Sequence, residues 1–79
     1  MQKSALAIDG CFLIDLDRHS DERGFFQRLY CDREFAKLSL ETKFPQLNFS
    51  FNKKANTLRG LHFQQTPHEE VKLLICMTG

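Results

Sequence analysis

A chain of 79 residues has room for one domain at most, and folding at this size hides only about 60–65% of the unfolded chain's surface. A composition of 42% hydrophobic and 27% charged residues, with eight Phe and no Trp, predicts a soluble globular protein with an aromatic-rich core and excludes disorder throughout. The net charge of +1, spread over scattered basic residues of which only Lys53 and Lys54 adjoin, gives no electrostatic footprint for DNA or RNA.

The first nine residues hold too short an apolar stretch for a signal peptide, and no window approaches the ~18 apolar residues of a membrane span. The expected compartment is therefore the cytoplasm. Residues 11–16, Cys-Phe-Leu-Ile-Asp-Leu, form an apolar run suited to a strand, followed by a charged turn over residues 17–24. A second, aromatic-rich strand is expected over residues 25–30. Asp32 is the expected N-cap of a short helix, with Glu34 in its first turn and Phe35, Ala36 and Leu38 at helical spacing up to about Leu40.

Pro45 closes the next loop. Residues 46–52 then alternate without a miss, with Leu47, Phe49 and Phe51 on one face and Gln46, Asn48, Ser50 and Asn52 on the other. A turn over residues 53–56, a strand over 57–63, a loop around Pro67 and a last strand over 71–78 complete the pattern. Short strands, turn signals and one small helix indicate an all-β sandwich or barrel. About five strands do not close a barrel by themselves. The expectation is thus an incomplete domain over residues 1–79, a piece of a longer protein or a sheet completed by a second chain.

Two groups stand out chemically. His62 lies in the strand Arg59-Gly60-Leu61-His62-Phe63-Gln64, and Lys72 lies in the apolar run Val71-Lys72-Leu73-Leu74-Ile75-Cys76-Met77. An ammonium on a strand that otherwise wants burial must snorkel, pair with an acid or face a polar cavity. Each also has a plainer reading, His62 as a structural strand histidine and Lys72 as a strand-end lysine reaching water. The polar face of residues 46–52 is either a solvent face or a cavity lining in which Gln46 and Asn48 bond a ligand. Arg59 points away from His62 on a regular strand, so both meet one ligand only if the backbone turns near Gly60.

Arg23-Gly24 suits either phosphate binding or a solvated hairpin loop. His62, His68, Glu69 and Glu70 suggest a metal site only superficially, because the place of a second histidine in a His-x-His pair is taken by Gln64. No metal or other cofactor is expected. The three cysteines, Cys11, Cys31 and Cys76, are odd in number and widely spaced, which fits reduced thiols.

Asp21-x-Arg23-Gly24-x-Phe26, Gln46-x-Asn48-x-Ser50 and Arg59-Gly60-Leu61-His62-Phe63-Gln64, followed by Pro67 and Lys72-Leu73, together resemble the N-terminal part of the dTDP-4-dehydrorhamnose 3,5-epimerase family. The resemblance runs from about Phe12 to Gly79. It implies a metal-free, cupin-type jelly-roll β-barrel, assembled as a homodimer by exchange of N-terminal strands. It also implies an isomerase of rhamnose biosynthesis whose substrate is a nucleotide-linked 4-keto-6-deoxyhexose.

By the same resemblance His62 matches the general base, and Lys72 the cation that stabilises the enolate oxygen. Arg23 and Arg59 match residues that hold the diphosphate, Gln46 and Asn48 cavity residues, and Phe26 an aromatic near the nucleotide. This chain departs from the family at Arg28, where many members carry Glu near the nucleotide base. It also lacks the family's later acidic partner of the histidine and its proton-donating tyrosine, and Tyr30 does not match that acid. The competing expectations are a non-catalytic nucleotide-sugar-binding or remnant half-barrel, and a related ketoisomerase or single-centre epimerase.

Overall fold

The computed structural model describes all 79 residues, which form two compact units, Met1–Lys43 and Phe44–Gly79. The first unit contains every regular element of the chain: strands β1 (Gln2–Ala5), β2 (Phe12–Asp15), β3 (Arg18–Asp21) and β4 (Gly24–Gln27), then helix α1 (Asp32–Lys37). The strands make two separate antiparallel hairpins, β1 with β2 and β3 with β4, and no barrel closes. No helix is long and apolar enough to cross a membrane.

In the first hairpin Lys3 pairs with Ile14 and Ala5 with Phe12. The loop closes through bonds from the Leu6 amide to the Cys11 carbonyl and from the Cys11 amide to the Ile8 carbonyl, both 3.0 Å. Gly10 supplies the positive φ of 77° that this turn requires. The Lys3 ammonium lies 4.5 Å from the centre of the Phe12 ring, a cation–π contact across the ladder.

The second hairpin pairs Arg18 with Gln27 and His19 with Phe26, and turns on Glu22 and Arg23. Its turn is closed by the Asp21 carboxylate, which accepts the Arg23 amide at 2.8 Å and the Arg23 guanidinium at 2.8 Å. The Arg18 guanidinium covers the Phe25 ring at 3.8 Å. All four residues of β3 are exposed. The charged stretch expected as a turn therefore contains a strand, held by its ladder and not by burial.

Helix α1 begins one residue earlier than expected, at Asp32 itself. Cys31, extended at φ −151°, is the N-cap and makes no side-chain cap bond, while Asp32 and Glu34 occupy the first turn, where their charge favours the helix N-terminus. Its end also comes earlier than Leu40. The Ser39 amide bonds the Ala36 carbonyl at 3.0 Å and the Leu40 amide bonds the Phe35 carbonyl at 2.9 Å, with Ser39 at φ 56°. This is a Schellman stop with serine in the left-handed position usually given to glycine. Phe35 points inward at 1% exposure and is the only buried hydrophobic residue in the chain.

The second unit corrects the sequence reading. The strands expected over residues 46–52, 57–63 and 71–78 are not formed; the only features of regular geometry there are bends and turns. The turn expected at residues 53–56 is present, with Asn56 at φ 63° and the Thr57 hydroxyl bonding the Lys54 carbonyl at 2.8 Å. So is the loop around Pro67, closed by the His68 amide on the Gln65 carbonyl at 2.8 Å. Alternation describes which faces a segment would bury, but a strand exists only when a neighbour takes its backbone N–H and C=O groups. Here Leu47 is 98% exposed and Leu61 92%.

Candidate active site

Within the first unit, the β3–β4 hairpin places Phe26 beside a small open depression of about 130 Å³, lined also by Met1, Asp17, His19, Arg28 and Glu34. That is well below the ~300–1,000 Å³ of a small-molecule site, so the depression accommodates part of a ligand at most. Its charges are already matched. The N-terminal ammonium meets Asp17 at 2.7 Å, and Arg28 meets Glu34 at 3.5 Å. The hydrogen bond between them, foremost, raises the pKa of the Met1 amine above its usual 8.0 and lowers that of Asp17 below 3.8.

Arg23 stands on the exposed tip of the same hairpin, its guanidinium engaged by Asp21. Its hydrogen bonds to Asp21, ahead of other causes, hold that carboxyl below its usual range. A guanidinium so held is oriented by its partner and still open to an anion from solvent. The Tyr30 hydroxyl donates to the Thr42 carbonyl, and desolvation, followed by the Asp32 charge, pushes the phenol above 10.0. Tyr30 therefore stays protonated at neutral pH and serves the packing around α1.

In the second unit Gln46, Asn48, Arg59, His62 and Lys72 are all exposed. Gly60 has a positive φ of 93°, without a turn or bend at that position, and a Cβ added there would lie 3.9 Å from the His62 Nδ1. The imidazole thus lies near Gly60. Arg59 is steadied by a bond from its guanidinium to the Asn52 side-chain oxygen at 3.3 Å. The Lys72 ammonium donates to the Glu70 carboxylate, and both side chains are about 40% exposed. Of the three arrangements open to a lysine in this run, the structure shows pairing.

Met1, Asp17, His19 and Glu34 were not among the residues singled out from sequence. Nothing in their spacing marks them, because hairpin closure is what brings Met1 to Asp17. Glu70 carried a usable signal: residues two apart in an extended segment share a side, so it falls beside Lys72.

Over residues 5–79 the chain matches the family described as dTDP-4-dehydrorhamnose 3,5-epimerase. It is 39% identical over 74 residues to a dTDP-4-dehydrorhamnose 3,5-epimerase of Salmonella typhimurium, which covers 92% of this chain and 40% of that protein. It is 37% identical over 82 residues to one of Mycobacterium tuberculosis, covering 100% and 39% respectively. A third, from Streptomyces griseus, is 33% identical over 75 residues, covering 94% and 37%. The chain spans about two fifths of the length of these relatives. No solved structure matches it significantly.

Proposed function

Because the chain belongs to the dTDP-4-dehydrorhamnose 3,5-epimerase family, we propose that it is the N-terminal half of a metal-independent nucleotide-sugar 3,5-epimerase, with His62 and Lys72 as its proton-transfer pair. The observation that carries this reading is a family match that runs continuously through the segments holding both residues.

The chemistry follows from the substrate class, a nucleotide-linked 4-keto-6-deoxyhexose. Hydrogens at C3 and C5 lie alpha to the C4 ketone, so removing one leaves an enolate whose negative charge sits largely on the C4 oxygen. Imidazole is the side chain whose ordinary titration range suits a general base at neutral pH, and His62 takes that part. The Lys72 ammonium faces the developing oxyanion and lowers its energy. Return of a proton to the opposite face inverts the centre, which needs an acid across the ring from His62. Arg23 and Arg59 hold the diphosphate, Gln46 and Asn48 bond the sugar, and Phe26 lies against the nucleotide.

The proposed scaffold is a cupin-type barrel in which residues 46–52, 57–63 and 71–78 gain ladder partners from strands outside this chain, including those of a second subunit. The absence of ladder partners for all three segments and the alternation of residues 46–52 support that role. A second reading, binding without turnover, is favoured by the exposure of His62 and Lys72, since a base and a cation open to water lose much of their electrostatic leverage.

Incubating the chain with a nucleotide 4-keto-6-deoxyhexose in deuterated water separates the two. Deuterium entering C3 or C5 and dependent on His62 supports proton transfer by this chain. Binding by calorimetry without deuterium entry supports the binding module. Product stereochemistry distinguishes a 3,5-epimerase from a single-centre epimerase or a ketoisomerase.

A further inference from the structure

Glu70 holds the Lys72 ammonium and leaves it reachable from solvent. The spacing makes this local: side chains two apart in an extended segment lie on one side, so the pair persists if the segment joins a sheet. Glu69, next in the chain, turns instead to the Thr66 hydroxyl, whose hydrogen bond is the leading cause of its lowered pKa. The two adjacent carboxylates thus have separate partners, and only one of them touches the proposed oxyanion cation.

A carboxylate on that ammonium has two consequences. It orients a long, flexible side chain, and it offsets the positive charge that an enolate oxygen would use. A ketosugar that engages Lys72 must take the place of the Glu70 carboxylate, and its diphosphate enters against one more negative charge. We infer that Glu70 is a positioning residue that parks the Lys72 ammonium in the absence of substrate and yields it to the C4 oxygen of a nucleotide 4-keto-6-deoxyhexose. This rests on the proposed role of Lys72.

The test uses the full 79-residue chain and its Glu70→Gln, Glu69→Gln and Lys72→Met variants, titrated with a nucleotide 4-keto-6-deoxyhexose by calorimetry. Glu70→Gln should bind about two- to five-fold more tightly than the parent, the range expected for releasing one exposed ion pair, with Glu69→Gln unchanged. Equal gains in both Gln variants would mean that general charge, not the Lys72 pair, sets the affinity, and would overturn the inference. So would a Glu70→Gln variant that binds like the parent while Lys72→Met binds more weakly; that result would leave the role of Lys72 standing. If Lys72→Met binds like the parent, or no form binds, the role of Lys72 falls and the inference with it.

Competitive acylation of the lysines provides a readout independent of ligand. Lys72 should react faster in Glu70→Gln than in the parent, relative to Lys53 and Lys54. An unchanged ratio would overturn the parking contact itself.

Discussion

The rings of Tyr30 and Phe35 meet edge to face, their centroids 4.8 Å apart and their planes at 76°. This contact joins the one fully buried side chain of the protein to the segment that links the second hairpin to α1. Phe35→Ala should cost about 3–5 kcal/mol, a large share of the total of a small domain. Circular dichroism should show loss of the helical signal and of a cooperative melt, while Phe35→Leu retains both. Tyr30→Phe keeps the ring contact but gives up the bond to the Thr42 carbonyl, and should cost only about 0.5–1.5 kcal/mol.

Ser39 ends α1 with a left-handed backbone that an L side chain adopts at a cost. Ser39→Gly should stabilise the first unit by about 1 kcal/mol, measured as a raised denaturation midpoint with an unchanged denaturant slope.

The ion pair between the Met1 amine and Asp17 closes the open end of the β1–β2 hairpin. The amine's pKa is raised, so its contribution is complete below 8.0 and disappears as pH climbs through the raised value. The Asp17 pKa is lowered, so its contribution is complete above 3.8 and disappears as pH falls through the lowered value. The contact therefore acts fully between those limits. Acetylating the amine should move the Asp17 titration, followed by carbonyl NMR, upward toward 3.8, and amide exchange in β1 should quicken.

These relationships show what the sequence could disclose. The strands at Phe12–Asp15 and Gly24–Gln27 and the helix at Asp32–Lys37 were legible, because apolar runs, a helical spacing that starts at Phe35 and acidic first-turn residues leave marks in one dimension. The strands Gln2–Ala5 and Arg18–Asp21 were not, since hydrogen-bonded pairing holds them and burial does not. The opposite failure befell residues 46–52, whose alternation is unbroken but whose backbone finds no partner in this chain. His62 and Lys72 stood out in the sequence as ionisable groups in otherwise apolar segments, and the structure leaves both exposed. The hold of Asn52 on Arg59, seven residues apart, depends on backbone path and appears only in three dimensions, whereas that of Glu70 on Lys72 had its signal in the two-residue spacing.

The second unit exposes Leu47, Phe49, Phe51, Leu58, Leu61 and Phe63 together. Apolar surface of this extent drives association. Sedimentation at micromolar concentration should give a mass at least twice that of the chain. Replacing Phe49 and Phe51 by Ser should return it toward the monomer and lower the binding of a hydrophobic dye.

The most direct test places residues 5–79 of this chain in the corresponding stretch of the Salmonella typhimurium relative and follows a nucleotide 4-keto-6-deoxyhexose in deuterated water by NMR. Deuterium should enter C3 and C5 with inversion, His62→Asn should abolish its entry, and Lys72→Met should slow it at least 100-fold, about 2.7 kcal/mol of oxyanion stabilisation. Undiminished deuterium entry in the His62→Asn chimera would contradict the assignment of this imidazole as the base.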